Sequence, residues 1–453
     1  MLRAVVLVVG VLALAGCSGA EADQVRRPAG DHVTIHVPAD APTISAAVSV
    51  AQQGDLVLVA PGTYHESVRI TTPHVTLRGE SRAKVVIDGR LQQPNGIVVT
   101  APGVAVENLT VRGNTQNGVL VTGSVKAADE QPGDGGYDTG DEPVRFLDSF
   151  LVSHVTSTRN GLYGIYAFSA QNGVIEQSYA SGAADSGIYV GQCKPCHIVV
   201  RDNVAEYNAV GLEGTNASGD MYVVRNRLTG NRVGLTTGSD HQEKLLPQEG
   251  AVVAGNLIAN NQQPATPEQA DGGWGIGVGI DGGSANQIVH NRISGNANAG
   301  VILTATQDLP PDNNKIVGNT FTNNTLDVGW TFPTPTKGHN NCISGPIRRT
   351  IPSTLATTAP CGGGEKAGLP SRAPSPSVPG ARVVSPSGSW AAPTPPPGIP
   401  FSEVAAPPAQ PELANAKTTG ATAVPATPGL PALATLAAPP TSFLADHSLA
   451  RAG

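Results

Sequence analysis

A glycine followed by an apolar residue recurs along the middle of the chain. Gly164-Ile165, Gly187-Ile188, Gly211-Leu212 and Gly234-Leu235 are spaced by 23, 24 and 23 residues. After an insertion, Gly277-Val278 and Gly300-Val301 resume the step of 23. A polar series keeps the same rhythm: Asn203, Asn226, Asn256, Asn291 and Asn319. Five residues after each stands another asparagine: Asn208, Asn231, Asn261, Asn296 and Asn324. Between these corners Val200, Val223, Val253, Ile288 and Ile316 fall into one apolar column. A repeat of this length predicts a solenoid in which each lap of chain stacks on the last. Corner backbone leaves the sheets and needs partners. An inward asparagine amide can supply them and bond the amides of the coils above and below. Asparagine also tolerates the left-handed backbone of such bends. The expected architecture is all-β, a parallel β-helix of about ten coils and about 50 Å in length.

Ahead of the repeats, Ile44, Ala47, Val48 and Ala51 recur at helical spacing. They predict an amphipathic helix with Thr43 as N-cap and Gly54 as its stop, closing the first coil's open end. Leu56–Val59 reads as a strand and Pro61–Tyr64 as a turn. Each later coil opens with a strand such as Gly187–Val190, where alternation sends Ile188 and Val190 inward and Tyr189 outward. The outward column becomes Leu120, Tyr166, Tyr189, Glu213, Thr236, Gly279 and Ile302. Insertions at residues 123–143, 191–197, 239–249 and 305–313 all follow this strand, so they rise on one edge as a wall. Another, at 262–273, precedes it. Walls and strand floor together predict a cleft. Tyr166 and Tyr189 beside Glu213 suit a sugar ring, which has apolar faces and hydroxylated edges. The alternative is that both tyrosines are there for strand propensity.

Beyond Ile351 the periodicity ends in alanine, proline, serine and threonine, which predicts a disordered tail over 351–453. The N-terminus has Arg3, an apolar run from Ala4 to Ala13 too short to span a bilayer, and then Leu14-Ala15-Gly16-Cys17. That ending resembles the lipobox of bacterial lipoproteins. The resemblance implies a signal peptide over 1–17, diacylglycerol on Cys17, and an extracytoplasmic protein anchored to the cell membrane by its lipid alone. A tether over 18–31 and a β-helix domain over 32–350 complete the organisation. Cys193, Cys196, Cys342 and Cys361 remain, an even number that reads as two disulfides in an oxidising compartment. Three pairings are open, and proximity suggests Cys193–Cys196 and Cys342–Cys361. Cys193-Lys-Pro-Cys-His197 also has the form of a c-type haem attachment motif. A net charge of −7 gives no basic footprint for nucleic acid.

The series Pro42-x-Ile44, Ala47-Val48, Gly54-Asp55-x-Val57-x-Val59 and Pro61-Gly62-Thr63-Tyr64-x-Glu66 resembles the opening of pectate-lyase-like β-helix proteins. The resemblance covers roughly Val33 to Trp330. That superfamily includes pectate lyases, pectin esterases, alginate epimerases and copper-handling accessory proteins of nitrous oxide reductase. It implies a right-handed helix and a polysaccharide or cell-wall glycan as partner, with the protein acting as a monomer. A lyase, epimerase or glycoside hydrolase activity is the enzymatic form of this reading. Glu213, Asp220, Asp240 and Asp281 are the carboxylates in suitable coils. The Asp-Pro-His-Asp of the epimerases and the paired-aspartate and Gly-His-Gly pattern of polygalacturonases are both absent. Calcium is a common partner of the pectate lyases, and the loop Ala128–Glu142 carries Asp129, Glu130, Asp134, Asp138, Asp141 and Glu142. A solvated acidic loop is the other reading. The ten histidines show no metal-ligand pair on one strand. Two other classes stay open: a non-catalytic envelope scaffold whose tail meets other proteins, and a copper-handling accessory protein.

Overall fold

The structure, a computed structural model, describes residues 25–129, 143–305, 308–331, 338–362 and 392–450. Three parallel sheets of 12, 11 and 10 strands run its length. Between the two ends, each strand pairs with the strand three places later in the chain, as one winding per coil requires. The chain winds as a right-handed parallel β-helix.

The asparagine series stack as the repeat demands. Nδ2 of Asn203 donates to Oδ1 of Asn226 at 3.0 Å, Asn226 to Asn256 at 3.0 Å, Asn256 to Asn291 at 2.9 Å and Asn291 to Asn319 at 3.0 Å. The series five residues on does the same from Asn208 to Asn324, at 2.9–3.2 Å. Each such oxygen also accepts the backbone N–H of the asparagine one coil earlier, as Asn231 does from Asn208 at 3.0 Å. All ten are buried. The left-handed bend falls one residue before the asparagine: Asp202, Arg225 and His290 have φ of 55°, 56° and 54°, and Gly255 and Gly318 have 65° and 66°. The bend residue turns the chain, and the asparagine after it points inward. The third corner has its own shorter ladder, Gln248–Asn286 and Asn314–Asn341.

Inside, Val200, Val223, Val253, Ile288 and Ile316 are consecutive partners in the 12-stranded sheet and belong to one continuous core. The capping helix is Ile44–Val50, with Thr43 accepting the N–H of Ala46 and Ile44, Ala47 and Val48 buried. It ends at Ala51, three residues before Gly54. Gly62–Tyr64 is a strand and not a turn. Glu66 accepts the N–H groups of Ile44 and Ser45 at 3.0 and 2.8 Å, placing a carboxylate at the helix N-terminus. At the far end, Thr350–Ile351 pairs with Val328–Gly329. The Cys342–Cys361 disulfide closes the last coil over the helix Leu355–Thr358.

Of the tail expected to be disordered, residues 363–391 and 451–453 lie outside the described residues. Residues 392–450 lie along the outside of the 10- and 12-stranded sheets as an extended arm with short 3-10 turns. Proline already restricts such a chain, so ordering it costs less entropy than the composition suggests. The arm leaves the outer face of the 11-stranded sheet to the insertions.

Candidate functional site

The outward column of the 11-stranded sheet has the register that the alternation predicts. Leu120 pairs with Tyr166, Tyr166 with Tyr189, Tyr189 with Glu213, Glu213 with Thr236, Thr236 with Gly279 and Gly279 with Ile302. Ile188 and Val190 point into the core. The column nevertheless divides into a closed part and an open part.

The closed part is aromatic. Tyr163, which alternation along the strands does not place here, packs against both tyrosines, with centroids 4.5 Å from each. Tyr166 and Tyr189 meet edge to face at 5.0 Å. Val98, Leu120, Phe168 and Ala127–Ala128 of the first insertion pack around them. Tyr166 is 7% and Tyr189 2% exposed. Their faces are therefore spent on each other and on the wall, and they hold the cleft up where an open stacking platform was expected. The insertion over 239–249 completes this closure, because the Tyr189 hydroxyl donates to Oε1 of Glu243. Burial pushes the Tyr189 phenol well up, with Glu243 adding to it. Burial also holds the Glu243 carboxyl far above the usual carboxylate range, reinforced by Glu213 and Asp240. Oε2 of Glu243 has no hydrogen bond, so this group is at home in its neutral form.

The open part begins one coil later. Glu213, Thr236 and Gly279 are half-buried, and the small side chains after Glu213 leave room above the strands. Asp185 stands at the corner before Tyr189's strand. The Ser186 hydroxyl lies 2.6 Å from Oε2 of Glu213 and 3.0 Å from Oδ1 of Asp185. A hydroxyl has one proton to donate. Both contacts are hydrogen bonds only if one carboxyl is protonated and donates to the serine oxygen. Thr215 donates to the other Glu213 oxygen at 2.9 Å. Burial, then the neighbouring Asp185, pushes Glu213 up to about 8. Burial, with Asp271 adding like charge, pushes Asp185 up to about 6. Asp271 belongs to the 262–273 insertion, so both walls contribute carboxyls to one acidic cleft. Asp185, Ser186 and Glu243 escaped the sequence reading: the first two precede the column, and the third sits in an insertion without a repeat to fix its register.

Other expected residues lie apart. Cys193 and Cys196 form a disulfide, which leaves no thiol for haem. His197 pairs with Asp220 at 2.9 Å, and His241 with Asp308 at 2.6 Å. Asp129 pairs with Arg69 at 2.8 Å, while the rest of the acidic loop, 130–142, and Cys17 lie outside the described residues. An open depression of about 600 Å³ between Glu80–Ser81 and Glu412–Thr418 is remote from the carboxyls.

Residues 95–246 match the family described as a right-handed β-helix region, and residues 245–344 match that of the periplasmic copper-binding protein NosD. No curated protein sequence matches the chain. Among solved structures it is similar to the mannuronan C-5 epimerase A-module of Azotobacter vinelandii, at 16% identity over 68% of this chain and 94% of that one, TM-score 0.40. It is also similar to a DFA-IIIase of Arthrobacter chlorophenolicus A6, at 13% identity over 64% and 88%, TM-score 0.44. An alginate lyase of Paenibacillus sp. FPU-7 has 15% identity over 69% and 98%, TM-score 0.30. The two disulfides, with the match of residues 245–344 to a periplasmic family, suggest a location outside the cytoplasm. Its described residues do not fit a resident copper ion, which favours thiolate, thioether and imidazole donors. The four cysteines after Cys17 are in disulfides, Met221 is in the core, and among the described residues no three His, Cys, Asp or Glu side chains converge.

Proposed function

We propose that this is an exported protein, anchored through lipid on Cys17, that binds polysaccharide across the open part of the 11-stranded sheet and cleaves it there. The observation that carries the reading is the Asp185–Ser186–Glu213 bridge, two carboxyls sharing one hydroxyl and so differing in protonation. Their bonded oxygens are no further apart than those two hydrogen bonds laid end to end. That is the close spacing at which a carboxyl pair works as acid and nucleophile, without room for an intervening water. Glu213, pushed up to about 8, keeps its proton at neutral pH and gives it to the glycosidic oxygen as the C–O bond breaks. Asp185, ionised above about 6, closes on the anomeric carbon from the other side. Water then releases the sugar, and Glu213 recovers its proton. Thr236 and Gly279 provide a low floor for the neighbouring sugar. The surrounding carboxyls Asp240 and Asp271 favour a neutral glycan over a uronate, because like charges in a half-buried cleft repel.

The test is a panel of neutral and uronic oligosaccharides offered to the intact protein, Glu213→Gln and Asp185→Asn. Binding and cleavage of a neutral glycan, with cleavage lost and binding kept in both variants, is the expected result. Silence towards every neutral glycan ends the reading.

A further inference from the structure

We propose that the outer face of the 10- and 12-stranded sheets is a built docking groove for an extended proline- and alanine-rich peptide, and that its occupant is this chain's own arm, residues 392–450. The argument starts from what such a peptide offers. Proline has no N–H, so an extended proline-rich strand presents more carbonyl acceptors than donors. A surface that binds it must be rich in donors. Five arginines of the solenoid each donate to an arm carbonyl: Arg78 to Thr418 at 3.1 Å, Arg82 to Pro411 at 3.0 Å, Arg159 to Val404 at 2.8 Å, Arg292 to Pro439 at 2.5 Å, and Arg227 to Thr441, Phe443 and Ala450 at 3.1, 2.9 and 2.6 Å.

The few free donors of the arm find acceptors in return. Glu206 takes the N–H groups of Leu449 and Ala450 at 2.8 and 2.9 Å and the Ser448 hydroxyl at 2.5 Å, while Tyr179 braces it at 2.7 Å. Asn108 accepts the Leu413 N–H, and Thr76 that of Thr422. Arg82, Arg227 and Glu206 are 1%, 2% and 0% exposed, a depth at which charges need fixed partners. The apolar component is independent of these. Val199, Tyr222, Val224, Val252, Ala254 and Val289 form an outward stripe on the 12-stranded sheet, and Leu433 and Leu436 lie on it. Parallel strands that are apolar on both faces are strands covered on both sides. The arm runs along one sheet, crosses to the other and returns, and Gln410 bonds the carbonyl of His447 where its two legs meet.

The test uses the full chain with a site-specific protease sequence placed within 363–391. After cutting, the arm is expected to stay with the solenoid through size-exclusion at low micromolar concentration. Glu206→Ala combined with Arg227→Ala should release it, and Glu213→Gln, on the other face, should not. An arm that leaves the unsubstituted solenoid on cutting overturns the proposal. Hydrogen exchange on the uncut chain gives a second reading that needs no variant to fold. The amides of Leu413, Thr422, Leu449 and Ala450 should exchange at least tenfold more slowly than in a free peptide of residues 392–450. Exchange at the free-peptide rate overturns the proposal equally.

Discussion

Replacing Glu213 by glutamine should make the protein more stable at pH 8 and almost indifferent at pH 4. In the unfolded chain this carboxyl loses its proton near its ordinary value of 4.5, whereas in the cleft it holds it to about 8. Between those values the folded state binds a proton that the unfolded state does not. Stability therefore falls as pH rises across the window, and is fully present only below it. Each tenfold change in acidity is worth about 1.4 kcal/mol, which sets a ceiling on the order of 5 kcal/mol. Partial exposure of Glu213 to water lowers the expected loss to about 2–3 kcal/mol. Glutamine keeps the shape and an amide for Ser186 and Thr215 but has no proton to lose. Urea unfolding of the wild type and Glu213→Gln at half-unit steps from pH 4 to 9 measures the difference directly. The two curves should converge at the acid end and separate from about pH 5 upward, with the variant on top. Parallel curves would refute the reasoning, since Glu213 would then titrate alike in both states.

Three further outcomes follow from the same contacts. Asn231→Ala removes the acceptor of the Asn208 N–H and the donor to the Ala205 carbonyl; about 2–4 kcal/mol should be lost in denaturant unfolding, and a loss below 1 would deny the ladder its role. Tyr189→Phe leaves the buried Glu243 without its donor, which should cost about 1–3 kcal/mol and speed hydrogen exchange of the Lys244 amide, now bonded to Gln192. Cys17→Ala should abolish palmitate labelling and move the protein from the membrane fraction to the soluble one; unchanged fractionation would remove the lipid anchor.

The solenoid was legible because its stabilising contacts repeat. One buried asparagine says little, but Asn203 to Asn319 and Asn208 to Asn324 fix the length of each lap, and alternation then gives the outward column residue by residue. What lies outside the repeat was not legible. Glu243 reaches Tyr189 from an insertion of irregular length, and no periodicity predicts where such a loop returns. Tyr163 precedes its glycine corner, so the alternation that assigned Tyr166 and Tyr189 did not reach it. The arm's composition alone does not tell where residues 392–450 lie, but the solenoid carries a signal for a covered face. Ile198-Val199-Val200 and Met221-Tyr222-Val223-Val224 are apolar on consecutive positions, which a strand with one wet face would not be. The inward half of that pattern was read, and the outward half was what Leu433 and Leu436 cover.

The acid pair at the corner of the 11-stranded sheet can be tested by covalent trapping. A neutral glycoside carrying an electrophile at its anomeric carbon should esterify the carboxylate of Asp185, and peptide mass spectrometry would find the added mass on the segment containing that residue. The adduct should disappear in Asp185→Asn and accumulate in Glu213→Gln when the leaving group needs no acid. A protein left unlabelled by every such glycoside, or labelled at a carboxyl outside the cleft, would contradict the account.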